Sequence, residues 1–170
     1  VWLVVRQNVW TYPLGIANNI LFLILFSQSR LFGDAGLQVV YMGLAAHGWY
    51  LWLRGGVTHT GVKISRSSTR LLATMTLFVA TATYALMILL HAVQGAAPLL
   101  DAFTTALSLA AQYLQNNKKI EHWYFWITAD VFYIYLYTVR GLHLTAVLYG
   151  IFLCMCVAGV IEWRKSLAKA

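Results

Sequence analysis

Asp130 is the residue in this chain whose chemistry most needs an explanation. It lies in EHWYFWITADVFYIYLY, residues 121–137, a run with no other charge after Glu121. Trp123, Trp126, Asp130, Tyr133 and Tyr137 follow at steps of 3, 4, 3 and 4, which places all five on one face of a helix. A carboxylate among aromatic rings can hold a cation, and the ring faces can add to that attraction. An acid near the middle of a membrane-spanning segment is costly unless it faces a cavity, a partner or a ligand. The competing reading is a carboxyl that only hydrogen-bonds a neighbour, with Asn19 and Gln112 as candidates.

A second polar stripe runs through residues 98–115. Asp101, Thr105, Ser108, Gln112 and Gln115 fall at steps of 4, 3, 4 and 3, again one helical face. In a lipid-embedded helix such a face must look at other helices or at water. Thr105 and Ser108 can equally serve interhelical hydrogen bonds, and Asp101 can cap its helix N-terminus, where the dipole favours an anion. Trp123 lies near a segment end, so interfacial anchoring competes with a role in the passage. Trp49, Trp52 and Trp163 read as belt residues on the same grounds. Asn18 and Asn19 are adjacent and cannot share one helical face, so Asn19 is expected inside and Asn18 against a neighbouring helix. His47, His59, His91, His122 and His143 have no metal-ligand spacing. Haem pairs, HExxH, phosphate loops and serine–base arrangements are missing, so nothing points to catalysis, a metal or a cofactor.

The elements that must position these residues are membrane helices. The chain has 170 residues, 61% hydrophobic and 10% charged, with mean hydropathy +0.69; soluble domains carry about 25% charged residues. The net charge of +7 is gathered at segment ends, the membrane pattern rather than a nucleic-acid surface. Cys154 and Cys156 are i,i+2 in an apolar run and point apart, which disfavours a disulfide between them. At about 20 residues per crossing, spans are expected at 9–27, 36–53, 69–92, 98–115, 122–139 and 142–163, after a partial helix ending near Val5. VWLVVRQN, residues 1–8, reads as the end of a helix that starts before Val1. RGGVTHTGVKISRSS, residues 54–68, is the longest loop and the expected hinge or linker, and Gln94-Gly95 before Pro98 is a tight connection. Alternation of spans puts Arg6, Arg54, Lys63, Arg66, Arg70, Lys118, Lys119, Arg164, Lys165 and Lys169 on one side and only Arg30 and Arg140 on the other, so the C-terminus is expected to be cytoplasmic.

The chain also repeats itself. A shift of 111 residues lays 37–54 on 148–165 without a gap: Leu37 meets Leu148, Gly48 meets Gly159 and Trp52 meets Trp163. The same shift lays Tyr12 on Trp123, Asn19 on Asp130, Phe22 on Tyr133, Phe26 on Tyr137, Leu31 on Leu142, and 1–7 on 112–118. The expected fold class is an all-α integral membrane protein, a seven-helix 3+1+3 bundle of two parallel three-helix repeats and a linker helix. The units are 1–54, with its first helix truncated; 55–97, loop and linker helix; and 98–170, with a cytoplasmic tail. Parallel repeats of this kind place substrate between the halves near the midplane.

NVWTYPLGIANNILFLILF, LQVVYMGLAAHGWYLWLRGG, DAFTTALSL, HWYFWITADVFYIYLY and GVIEWRK, in this order and spacing, resemble the PnuC-type vitamin transporter family over nearly the whole chain. The W-x-x-W-x-x-x-[ND] pattern, here Trp123, Trp126 and Asp130, is its most specific piece. The resemblance implies a bacterial inner-membrane transporter related to the SWEET sugar transporters, a homotrimer, and energy-independent uptake of nicotinamide riboside; relatives carry thiamine or riboflavin. Members with asparagine at the position matching Asp130 use it, with the tryptophan matching Trp126, around the substrate. The aspartate here would compensate the positive pyridinium of nicotinamide riboside or the thiazolium of thiamine, with cation–π attraction from Trp126 and Tyr133; neutral riboflavin ranks third. Gln112, Gln38 and Asn19 are the expected partners of ribose hydroxyls or the carboxamide, and Ser108 and Trp123 complete the expected site. The competing classes, a membrane enzyme or cofactor-binding bundle and a structural subunit, would show metal-spaced ligands or lack polar interior stripes.

Overall fold

The computed structural model describes residues 1–28, 32–92 and 98–169. They form seven helices: α1 (Trp2–Val5), α2 (Thr11–Gln28), α3 (Phe32–Arg54), α4 (Thr69–Ala92), α5 (Pro98–Asn116), α6 (His122–Val139) and α7 (His143–Ala168). The all-α, seven-helix expectation matches, and the helices follow the expected spans closely. The largest departure is α7, which continues through the basic residues to Ala168. Arg30 and the Gln94-Gly95 connection lie outside the described residues.

The local chemistry explains the boundaries. Pro98 opens α5, where its missing N–H would have had no helical partner. Gly141 closes α6 at φ +73, the left-handed conformation that glycine adopts without a Cβ penalty, and the next amide, of Leu142, donates back to the Tyr137 carbonyl at 2.8 Å. Within the helices, Thr74, Thr76, Thr81, Thr128 and Thr138 bond the carbonyl four residues earlier. That satisfies exposed hydroxyls where lipid offers no partner.

The outer surface is apolar all round. Leu21, Leu77, Ile88, Val139 and Val147 are exposed, and Leu144 is 86% exposed, a surface suited to lipid. Among the described residues, α4 over Thr69–Leu89 and α7 are long and apolar enough to cross a membrane by length and composition alone. Asn18 and Asn19 interrupt α2, the polar stripe interrupts α5, and Asp130 interrupts α6.

Helix packing runs α1 on α7, α2 on α3, α3 on α5, α4 on α5, α5 on α6, and α6 on α7. Pairs of residues 111 apart make matching contacts. Trp52 Nε1 donates to the Gln115 carbonyl at 3.2 Å, and Trp163 Nε1 donates to the Val4 carbonyl at 3.2 Å. Tyr12 meets Trp52 edge-on at 5.2 Å and 84°, and Trp123 meets Trp163 edge-on at 5.6 Å and 85°. Gly48 lies against the Tyr12 ring and Gly159 against the Trp123 ring, with no room for a Cβ at either. The turns after α1 and α5 share their backbone too: Gln7 and Lys118 have φ 53 and 47, and the Asn8 and Lys119 amides donate to the Leu3 and Leu114 carbonyls at 2.8 and 2.9 Å.

These contacts correct one expectation. Trp52 and Trp163 are not belt residues; they are 6% and 0% exposed and form a core with Val4, Val5, Tyr12, Trp123 and Cys156. The Trp52 and Trp163 indole N–H groups find their acceptors in carbonyls at helix ends, where the last turn leaves carbonyls without an i+4 helical partner. His122 is fully buried between the Trp123 and Trp163 rings.

The loop over 55–68 is stitched to the α5–α6 turn. The Ser65 amide donates to the Lys118 carbonyl at 3.1 Å and the Ile120 amide to the Ser65 carbonyl at 3.0 Å. Lys119 Nζ donates to Ser65 Oγ at 2.9 Å, and the Ser67 amide to Glu121 Oε2 at 2.8 Å. Lys118 Nζ lies 4.5 Å from the Trp52 ring centroid; burial there holds its pKa below the ordinary lysine value.

Candidate functional site

A cavity of about 550 Å³ opens between α2, α3, α5, α6 and α7. Trp123, Trp126, Asp130, Tyr133, Gln112, Asn19, Gln38 and Ser108, singled out from sequence, all line it. Thr105 and Gln115 extend the α5 stripe along the wall. Asp101 does not join them: its Oδ2 accepts from Arg140 Nη2 at 2.9 Å, pinning the start of α5 to the end of α6.

One wall is built on α6 and α7. Asp130 is 4% exposed, and the Cys156 thiol donates to its Oδ2 at 3.5 Å. The Asp130 bond from Asn19 or Gln112 that the sequence left open is therefore made by Cys156. Beside the carboxylate, Tyr133 and Tyr137 stack at 5.9 Å, Tyr149 lies 4.7 and 5.3 Å from them, and Phe152 meets Tyr149 edge-on at 5.6 Å. On α2, Phe22 and Phe26 stack at 5.6 Å. Both aromatic ladders use i,i+4 spacing, which puts successive rings one turn apart, and both line the same cavity.

The α5 side chains form a network. Asn116, fully buried, receives the Tyr12 hydroxyl at 3.2 Å and the Gln112 amide at 2.9 Å on Oδ1, and its own amide donates to the Leu44 carbonyl at 2.7 Å. Gln112 thus keeps its carbonyl oxygen available. Trp126 Nε1 donates to Gln115 Oε1 at 3.2 Å, which fixes the indole plane. Trp123 is 1% exposed and wedged against Gly159, and its Nε1 has no partner among the described residues. This is a packed position rather than an interfacial anchor. His122 Nδ1 lies 2.7 Å from the Lys119 carbonyl, so Nδ1 carries the proton and Nε2 is left without a partner.

Asn18 lines the cavity with Asn19, and no hydrogen bond to a neighbouring helix is made by it among the described residues. Tyr12, the repeat counterpart of Trp123, also lines it, as do Tyr41, Tyr149, Phe152 and Cys156, which were not singled out as site residues. The repeat carried the signal for three of them: adding 111 to Gln38, Tyr41 and Ala45 gives Tyr149, Phe152 and Cys156. Among the described residues no group of His, Cys, Asp or Glu is arranged to hold a metal.

A bundle of helices with an apolar exterior, enclosing an aromatic cavity with one buried carboxylate, is the build of a small-molecule membrane transporter. The chain belongs to the family described as nicotinamide mononucleotide transporter, whose model matches residues 1–165. The riboflavin/roseoflavin transporter RibM of Streptomyces davaonensis is 29% identical over 164 residues, covering 93% of this chain and 76% of that protein. The nicotinamide riboside transporter PnuC of Escherichia coli is 23% identical over 186 residues, covering 94% and 78%. The crystal structure of the vitamin B3 transporter PnuC superposes with a TM-score of 0.72 at 25% identity, over 98% of this chain and 76% of that one. This chain is a multi-pass membrane transporter and not an enzyme.

Proposed function

We propose that the chain mediates facilitated uptake of nicotinamide riboside across a bacterial inner membrane, through the cavity between its two halves. The observation that carries this is Asp130, a carboxylate buried in the cavity wall between Trp126 and Tyr133 on one face of α6. A pyridinium seated there gains the carboxylate's charge and a cation–π contribution of about 0.5–2 kcal/mol. Asn19, Gln38, Ser108 and the free carbonyl of Gln112 supply bonds for hydroxyls and carboxamide, and Trp123 closes the cavity at the end carrying the Lys118–Lys119 turn. Thiamine, also cationic, fits the same argument. Riboflavin is favoured by a different observation: the continuous aromatic wall of Tyr133, Tyr137, Tyr149 and Phe152, together with the likeness to RibM.

Two parallel three-helix units with α4 as linker form the proposed organisation, over 1–54, 55–97 and 98–170. The matched contacts 111 residues apart support it, as do the packing pairs: exchanging the halves turns α1 on α7 into α5 on α3, and α2 on α3 into α6 on α7. The C-terminus is proposed to be cytoplasmic, from the excess of lysine and arginine on that side, and the assembly to be a homotrimer, by likeness to the family. Transport is downhill and uses no coupled ion.

Exchange of nicotinamide riboside by proteoliposomes without proton or sodium gradients tests uniport; flux that collapses without a gradient refutes it. Binding of nicotinamide riboside, thiamine and riboflavin to wild type and Asp130→Asn tests the cation site. The substitution is expected to weaken the two cations about tenfold or more and to leave riboflavin within about threefold. This follows from a charge pair of a few kcal/mol at an effective dielectric near 20, partly offset by desolvation. Unchanged affinity for all three sinks charge compensation.

A further inference from the structure

The two halves of the cavity are not chemically equal. Asn19 on α2 corresponds to Asp130 on α6, and Ala45 on α3 corresponds to Cys156 on α7, all four lining the cavity in pairs 111 apart. In the first half that position offers no hydrogen-bonding group. In the second it places a thiol, 2% exposed, 3.5 Å from Asp130 Oδ2. No other protein donor among the described residues reaches Asp130, so Oδ1 is the acceptor left for a ligand. Cys154, two residues away, is exposed on the outside of α7, so the buried thiol is a property of the Asp130 face and not of the helix.

Resting on the proposed transport reading, we propose that Cys156 is a specificity-determining positioning residue. Its thiol occupies Oδ2, turns Oδ1 into the cavity and sustains the carboxylate as an anion, so that the second half selects the cationic end of the ligand. A carboxylate in a low-dielectric wall needs at least one donor to remain charged. A thiol is a weak one, strengthened because its acceptor is charged. It therefore supports the anion without competing strongly with an incoming cation. Asn19 and Gln38 of the other half then take the uncharged ribose end of the ligand.

The test compares two ligands of one shape: nicotinamide riboside, a cation, and its uncharged reduced form, dihydronicotinamide riboside. Binding of each to purified wild type, Cys156→Ala and Cys156→Ser is measured. Cys156→Ala, which installs the first-half residue, is expected to lower the cation-to-neutral affinity ratio about five- to tenfold, the scale of one ordinary hydrogen bond, because the weak thiol donor offsets the gain from its charged acceptor. Cys156→Ser, which keeps a donor, is expected to restore the ratio to within about twofold of wild type. Cys156→Thr and Cys156→Val, nearly equal in shape and differing in the donor, give the same contrast where the smaller variants fail to fold. Equal losses for both ligands, or a ratio unchanged in Cys156→Ala and Cys156→Val while wild type prefers the cation, overturn the role of Cys156 alone. A wild type that binds neither nicotinamide ligand, or shows no preference for the cation, overturns the transport reading's cation site and this role together.

Discussion

Gly159 makes the sharpest stability prediction. A Cβ built there would stand 2.5 Å from Trp123 Cε2 and 2.6 Å from Cη2, about 1 Å short of the roughly 3.5 Å carbon–carbon contact distance. The Trp123 ring cannot easily yield. It is 1% exposed, with His122 at 4.3 Å and Trp163 edge-on at 5.6 Å. Gly159→Ala must therefore spread α6 from α7. Overpacking of this kind costs about 1–3 kcal/mol, and the upper end applies because three ring atoms are met at once. Better helix propensity returns no more than about 1 kcal/mol, so the net effect is destabilising by about 1–2 kcal/mol. Gly150, in the same helix, meets nothing within 4 Å, so Gly150→Ala gains the propensity without the overlap. Thermal unfolding of detergent-purified protein, followed by tryptophan fluorescence, should put Gly159→Ala about 2–8 °C below wild type and Gly150→Ala at or above it. If both variants melt together with wild type, the α6–α7 contact is not packed as described.

The Asn116 network predicts a graded response. Tyr12→Phe removes one of the two bonds on Oδ1 and costs about 0.5–1.5 kcal/mol, whereas Asn116→Ala strands the buried Tyr12 hydroxyl and the Gln112 amide and costs more; melting temperatures in the reverse order count against it. The Asp101–Arg140 pair is about one-third exposed on both sides, so Asp101→Asn should cost under about 1 kcal/mol, and the difference should shrink in high salt. Glu121→Ala releases the Ser67 amide, and limited proteolysis within 55–68 should then run faster than in wild type, with equal rates refuting the stitched loop.

The hydrophobic runs made the seven helices legible; helical spacing singled out six of the eight candidate residues, the repeat added Asn19 and the family resemblance added Gln38, and all eight line one cavity. The misreading of Trp52 and Trp163 has a physical cause. A tryptophan beside a charged segment end is usually interfacial, and composition cannot tell an indole N–H that meets headgroups from one that meets a helix-end carbonyl. The offset of 111 could tell them apart: an anchor has no reason to recur with its own glycine four residues earlier, as Gly48–Trp52 and Gly159–Trp163 do. Cys156 was legible as a position, through Ala45, but its bond to Asp130 depends on the rotation of α7 against α6, which no spacing within one helix reveals.

The departures from the repeat carry more about function than its matches do. Asn19 becomes Asp130, Phe22 and Phe26 become Tyr133 and Tyr137, and Ala45 becomes Cys156. These changes put the charged or hydrogen-bonding member on the α6–α7 side, while Tyr41 against Phe152 and Asn18 against Ala129 put it on the α2–α3 side. A ligand with a cationic ring at one end and a ribose at the other is matched by a cavity that sets its one carboxylate, Asp130, on the α6 side and the amides of Asn19 and Gln38 on the α2–α3 side.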